Sequence, residues 1–219
     1  MRKIAFIIFC FCLGPACNQT QPAQVALQKK QSLPFYTGPD FTPYWFEDGK
    51  KVPDTIHTIA SFSFIDQNGN IITEKAIANK IYIADFFFTA CPGICPKLTK
   101  NLKLVQDAFK DDAAVVLLSH SVTPGKDDTA VLKKYARNYG VIDNKWFLLT
   151  GNKDSIYTIA RKSYFADEDL GMKKDTSDFL HTENMLLIDK KRRIRGIYKG
   201  TSALEMENII KDVKMLESE

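Results

Sequence analysis

Cysteine and histidine are scarce in this chain: of 219 residues, five are Cys and three are His. A metal centre or a nucleophilic site therefore has few side chains to draw on. No Gly-rich phosphate loop follows any apolar run, which removes the common nucleotide-binding signatures. No internal repeat is present, which excludes a solenoid or propeller. Long apolar runs are missing too. The longest, Ile4 to Leu13, has ten residues, too few to span a bilayer. Nor is there an excess of one charge. Lys+Arg number 30 against 26 Asp+Glu, a net +4 that falls to +2 if Arg2 and Lys3 leave with a leader. So mild a balance argues against a nucleic-acid partner.

What is present begins with enough apolar material, 45% hydrophobic and 11% aromatic, for one well-buried domain plus extra segments. Arg2-Lys3, the apolar run to Leu13 and the small residues Gly14-Pro15-Ala16 read as a signal peptide over residues 1–16. The sequence around Cys17 resembles a bacterial lipoprotein signal, in which that cysteine is lipidated and becomes the first mature residue. This implies a membrane anchor in a bacterial cell envelope, with the domain facing the periplasm. Residues 17–52 read as a tether and extended arm: Asn18 to Gln31 is polar and Gln-rich, whereas Leu33 to Tyr36 and Phe41 to Trp45 carry aromatics suited to packing on a domain. Cys10 and Cys12 leave with the leader, so only Cys91 and Cys95 remain as thiols. In an oxidising compartment such a pair is a structural disulfide, a catalytic dithiol or a metal site. A bridge closing so short a loop stabilises little.

Residues 53–219 read as the domain. Ile56 to Phe64 alternates apolar and polar residues, with His57 at its start as a surface or capping residue. Asp66 to Asn70 supplies a turn before Ile71-Ile72-Thr73, giving an N-terminal hairpin. Ile81 to Phe88 is nearly continuous in apolar residues, the mark of a strand buried on both faces. Asp85 interrupts it, as a hydrogen-bonded core acid or a proton acceptor beside the thiols. Leu98, Leu102, Val105 and Phe109 have helical spacing. Val115 to Leu118 is a second buried strand, and Ser119 to Pro124 a polar turn at its end. Val131 to Tyr139 is a helix closed by Gly140, Trp146 to Leu149 a third strand, and Lys153 to Tyr164 another helix. Phe165 to Leu180 reads as a long polar loop ending at His181. Met185 to Asp189 and Ile194 to Tyr198 form a late hairpin across Lys190-Lys191-Arg192-Arg193, a solvated basic tip. A last helix starts from Ser202 with Glu205 as a capping box. The order predicts an α/β, thioredoxin-like fold: a central, mainly parallel sheet flanked by helices, with N-terminal and late β-hairpins.

The stretch Phe86 to Pro96 is where chemistry concentrates. Two cysteines four positions apart stand where a strand hands over to a helix N-terminus, whose positive end favours thiolate. That is a place for redox chemistry or for a thiophilic metal. His181, 86 positions beyond Cys95, ends a loop long enough to bring it over the pair. His120 is a rival third ligand at the end of a neighbouring strand, where α/β sites gather. Met172 and Met185 read as loop packing and core.

Phe86 to Pro96, Ser119 to Thr129, Trp146 to Gly151 and His181 followed by Leu187-Ile188-Asp189 together resemble the Sco/SenC family, copper chaperones for cytochrome c oxidase assembly. The likeness covers nearly all of residues 55–219. It implies that Cys91, Cys95 and His181 hold one copper ion, Cu(I) or Cu(II), and that Cys91 and Cys95 form a disulfide when oxidised. It also implies delivery to the dinuclear copper site of an oxidase subunit, by a dithiol able to reduce the target's cysteines. Other copper carriers or thiol reductants would be further partners. Two thiolates and an imidazole are a soft, low-coordinate set that suits Cu(I) and can also hold Cu(II). The chain departs from the family pattern at Gly93 and Thr123, where acids are usual, which alters the site's electrostatics more than its ligands. Two other classes stay open. A thiol–disulfide oxidoreductase or peroxidase would use Cys91 as nucleophile, although Cys-x-x-Cys is absent, Phe88 and Pro92 stand where a peroxidase carries threonine, and no proline lies between Thr176 and Asn184. A redox or copper sensor would signal without transferring metal.

Overall fold

In chain order the elements are β1 (Phe35–Tyr36), β2 (Pro43–Tyr44), β3 (Ser63–Ile65), β4 (Ile71–Thr73), β5 (Ile81–Phe87), α1 (Cys95–Ala108), β6 (Val115–Ser121), α2 (Thr129–Tyr139), β7 (Trp146–Leu149), α3 (Lys153–Lys162), β8 (Asn184–Ile188), β9 (Ile194–Lys199) and α4 (Ala203–Glu217). They come from a computed structural model of the chain that describes residues 32–46, 50–166 and 182–219. The leader, Cys17, the tether to residue 31, most of the long polar loop with Met172, and His181 lie outside the described residues.

Every residue of β5 is buried, and the two-residue period of a strand divides them between two cores. Ile81, Ile83 and Phe87 join Leu98, Leu102 and Val105 of α1, Leu132 and Tyr135 of α2, and Ile209 and Val213 of α4. Tyr82, Ala84 and Phe86 join Ile156, Ile159 and Ala160 of α3, together with Phe62, Phe64 and Ile72 around the first hairpin. Helices thus cover both faces of the sheet, as the unbroken apolar run at Ile81 requires.

Among the described residues the main sheet has the strand order β2-β1-β9-β8-β5-β6-β7. The α/β, thioredoxin-like class is as expected, but the sheet is mixed. β5, β6 and β7 are parallel neighbours, joined by helical crossovers. β8 lies antiparallel to β5, and β9 antiparallel to β8, because a turn of residues 189–193 is too short for the crossover that parallel strands need. The arm then extends the sheet, Tyr36 of β1 pairing with Ile194.

Three local expectations change. The first strand is confined to β3, because the segment before it spends its backbone donors elsewhere: Ile59 N–H on the Arg192 carbonyl at 2.8 Å and Phe62 N–H on the Glu74 carboxylate at 3.3 Å. Ser202 stands at the N-cap of α4 without a side-chain capping bond, and its backbone N–H, which a capping box would give to Glu205, goes to the Lys199 carbonyl. The basic tip is only half solvated. Lys190 and Lys191 are exposed, but Arg193 pairs with Asp189 at 2.6 Å and lies 4.8 Å over the Phe35 ring. Beside it Arg195, 1% exposed, holds Glu219 with two hydrogen bonds and the Leu33 and Pro34 carbonyls with two more. A buried guanidinium needs that full set of partners, and in taking them it fixes the arm to the sheet.

Candidate metal centre and dithiol site

α1 begins at Cys95, with Pro96 in its first turn supplying a preset φ, and its N-cap, Ile94, offers no side-chain acceptor. Lys97 and Leu98 give their N–H groups to the Ile94 carbonyl, which leaves the Cys95 N–H at the helix start for another acceptor. That acceptor is the Cys91 sulfur, which faces the backbone N–H groups of Cys95, Gly93 and Ile94 and the thiol of Cys95. Burial raises the Cys91 thiol, but these donors outweigh it and the net shift is downward from 9.0. Cys95 behaves oppositely. Burial first, then the neighbouring Cys91, pushes its thiol up to about 12, against a lowering backbone hydrogen bond at Phe88. Both thiols are free, Cys91 half-buried and Cys95 buried. The pair thus joins a less buried thiol, which is lowered, to a more buried one, which is raised, and it lies at the C-terminal edge of the parallel strands, where sites in such sheets form.

Behind the pair, Asp85 is buried and its carboxyl is pushed up to about 7 by burial, with the Ser119 hydroxyl bond opposing the shift. Ser119 donates to Asp85 and accepts the Trp146 indole N–H at 2.8 Å. Thr99 ties the helix start down, donating to the Cys95 carbonyl at 2.9 Å and meeting the Tyr135 hydroxyl at 2.6 Å. In front, the buried Asp127 carboxylate receives four hydrogen bonds. Thr89 gives two, from N–H at 3.2 Å and Oγ1 at 2.5 Å. The Ser121 hydroxyl adds one at 2.6 Å and that of Thr123 one at 2.9 Å.

His120 does not join the thiols. It pairs with Phe86 across the β5–β6 ladder and belongs to the opposite face, stacked on Phe86 at 5.1 Å and boxed by Phe64 and Tyr164 at 5.7 and 5.5 Å. Burial pulls its imidazole down to about 4; Nδ1 meets the Asp85 carbonyl at 3.4 Å, and Nε2 has no partner among the described residues. His57 is structural as well, its Nε2 2.7 Å from the Ser163 carbonyl and its ring 4.6 Å from that of Phe165. Met185 is wholly in the core. The structure therefore brings Cys91 and Cys95 together and withdraws His57, His120 and Met185, while His181 and Cys17 lie outside the described residues. Among those residues no group of three or more His, Cys, Asp or Glu side chains is placed to hold a metal ion, and no helix is long and apolar enough to cross a membrane. Two converging sulfurs, one of them lowered by the N–H groups around it, fit a thiophilic ion that takes further donors from elsewhere.

Residues 50–217 match the family model described as SCO1/SenC. Three solved structures are similar in both sequence and fold. A SCO1/SenC family lipoprotein from Bacillus anthracis is 29% identical with a TM-score of 0.64, over 74% of this chain and 95% of that one. BsSco, a member of the Sco family of cytochrome c oxidase assembly proteins in which a disulfide switch was identified, is 29% identical with a TM-score of 0.63, over 74% and 94%. ScoI of Bradyrhizobium japonicum, solved with copper bound, is 26% identical with a TM-score of 0.58, over 73% and 99%.

Proposed function

Because the chain belongs to the SCO1/SenC family, we propose that it is a copper-binding metallochaperone, with copper as its cargo. Reduced Cys91 and Cys95, joined by His181, hold one ion and pass it to the dinuclear copper site of a respiratory oxidase subunit. The observation that carries this reading is the thiol pair itself: two free sulfurs at a helix start, one lowered and one raised in acidity. The similarity to a relative solved with copper bound supports it. An incoming thiolate displaces the ligands one at a time, and Cys91, the less buried sulfur, is the natural first to leave. A low coordination number keeps each exchange fast and the ion out of water. Lipidation at Cys17 would hold the domain at a bacterial membrane on its periplasmic side; the likeness to a family lipoprotein supports this part.

The test is transfer. The reduced, Cu(I)-loaded chain mixed with the copper-free, reduced soluble domain of an oxidase copper-binding subunit should lose its ion to that subunit; two ions delivered per subunit, followed by one-electron oxidation with added ferricyanide, should give the visible spectrum of a mixed-valence dinuclear copper site. Retention of copper by the chain, with no such spectrum, contradicts the reading.

The asymmetry of the thiols favours a second reading, a membrane-anchored thiol–disulfide oxidoreductase. The Cys91 thiolate would attack a target disulfide and form a mixed disulfide. Cys95, losing its proton, would then attack the Cys91 sulfur, releasing the target as two thiols and leaving a Cys91–Cys95 disulfide. Two electrons pass from this dithiol to the target. Steady reduction of insulin or small disulfides, without copper transfer, selects this alternative.

A further inference from the structure

Cys91 and Cys95 are held by different means. Cys95 is the first residue of α1 and only 4% exposed, so the packing of that helix places its sulfur. Cys91 is reached from the end of β5 through Phe88, Thr89 and Ala90, a turn closed by the Cys91 N–H on the Phe88 carbonyl at 3.3 Å. Phe88 packs the turn against the core, and Thr89 ties it through Asp127 to the end of β6. Asp127 is 1% exposed. Its four hydrogen-bond donors are neutral and come from both sides of the site: Thr89 at the start of the dithiol turn, and Ser121 and Thr123 at the end of β6. The ends of β5 and β6 are already side by side, Phe87 opposite Ser121 and the Val122 N–H on the Phe87 carbonyl at 2.9 Å. One carboxylate thus pins the loop that carries one sulfur to the rigid sheet that supports the helix carrying the other.

We propose that Asp127 is a positioning residue for the dithiol, setting through Thr89 where the Cys91 sulfur stands relative to that of Cys95. The proposal rests on the reading of the pair as the working site. A carboxylate suits the task because each donor points inward, and an acceptor-only group satisfies them all at once. Its replacement frees the turn on the Cys91 side while α1 keeps Cys95 in place, so the distance between the sulfurs widens and becomes variable. Anything that needs both sulfurs together, a shared ion or a disulfide, then becomes less favourable.

The experiment compares wild type, Asp127→Ala, Asp127→Asn, Thr89→Val and, as a control, Asp128→Ala. Asp128 is the neighbouring carboxylate, exposed at the surface, that caps α2 by accepting the Val131 N–H at 2.8 Å. Three readouts are taken on reduced protein: thermal unfolding, Cu(I) affinity by competition with a chromophoric chelator, and the dithiol–disulfide equilibrium constant against glutathione. Asp127→Ala should lower copper affinity about 10- to 100-fold, the range for groups that orient a metal ligand, and move the glutathione equilibrium several-fold away from the disulfide. Thr89→Val should move both in the same direction by less, and Asp127→Asn should recover part of the loss. Asp128→Ala should lower the unfolding temperature alone. A folded Asp127→Ala with wild-type copper affinity and wild-type glutathione equilibrium overturns the proposal. If that variant does not fold, Thr89→Val decides by the same two numbers. Wild type taking no copper would instead contradict the metallochaperone reading, and the glutathione equilibrium would still judge the clamp.

Discussion

The two faces of the central sheet each bury an ionisable side chain beside the other's strand, and only one face leads to a site. Asp85 and Ser119 lie on the α1 side, where the half-buried Cys91 brings the dithiol to the surface at the strand ends. His120, next along β6, lies on the α3 side inside a box of Phe64, Phe86 and Tyr164. Ser119 and His120 are consecutive, and the period of two sends them to opposite cores. A polar group at the end of a strand is not thereby available to a ligand; its face decides.

The sharpest way to break the comparison is on the open face. Replacing Cys95 by Ala should lower Cu(I) affinity more than about 100-fold, beyond what the loss of an orienting group costs, as measured by chelator competition. His120→Phe, on the closed face, should leave that affinity unchanged.

The next effect separates the faces by pH. Burial pulls His120 down to about 4 from 6.5, so the unfolded chain takes up that proton first and stability falls as pH drops from 6.5 towards 4. Burial pushes Asp85 up to about 7 from 3.8, so the folded chain keeps a proton that the unfolded chain has released, and stability falls as pH rises from 3.8 towards 7. The two slopes oppose each other between pH 4 and 6.5. Urea unfolding across that window should show His120→Phe losing stability with rising pH and Asp85→Asn gaining it, by about 3 kcal/mol from end to end in each case. At neutral pH, His120→Phe should also gain about 1 kcal/mol, because it removes a buried nitrogen that has no partner among the described residues.

A smaller effect probes the open face alone. A Cβ at Gly93 would stand 4.0 Å from the Cys91 sulfur, an ordinary contact, so Gly93→Asp fits. The added charge beside a thiolate should raise the Cys91 thiol and slow its alkylation by iodoacetamide at pH 7 by about two- to threefold.

Much of this was legible in the sequence. The apolar run at Ile81, the helical spacing of Leu98, Leu102 and Val105, and the alternation of strands and helices gave the fold class, and Pro96 after Cys95 placed the thiols at a helix start. His120 was misplaced because β6 read as ending at Leu118, whereas it runs to Ser121 and carries the histidine into the ladder. The mixed sheet was hidden because antiparallel pairing of β8 with β5 depends on where a hairpin docks, which strand composition does not encode. Asp127 was missed altogether. Its partner Thr89 is 38 residues away, and only the crossover through α1 brings the two together; an acid before a helix reads simply as a cap.

The central claim is that the third ligand comes from His181 and not from the buried imidazole. A copper titration of the reduced domain, comparing wild type with His181→Ala and His120→Phe, tests it directly. One tightly held ion in wild type and in His120→Phe, with affinity lost in His181→Ala, is the predicted result. Unchanged stoichiometry and affinity in His181→Ala would contradict it.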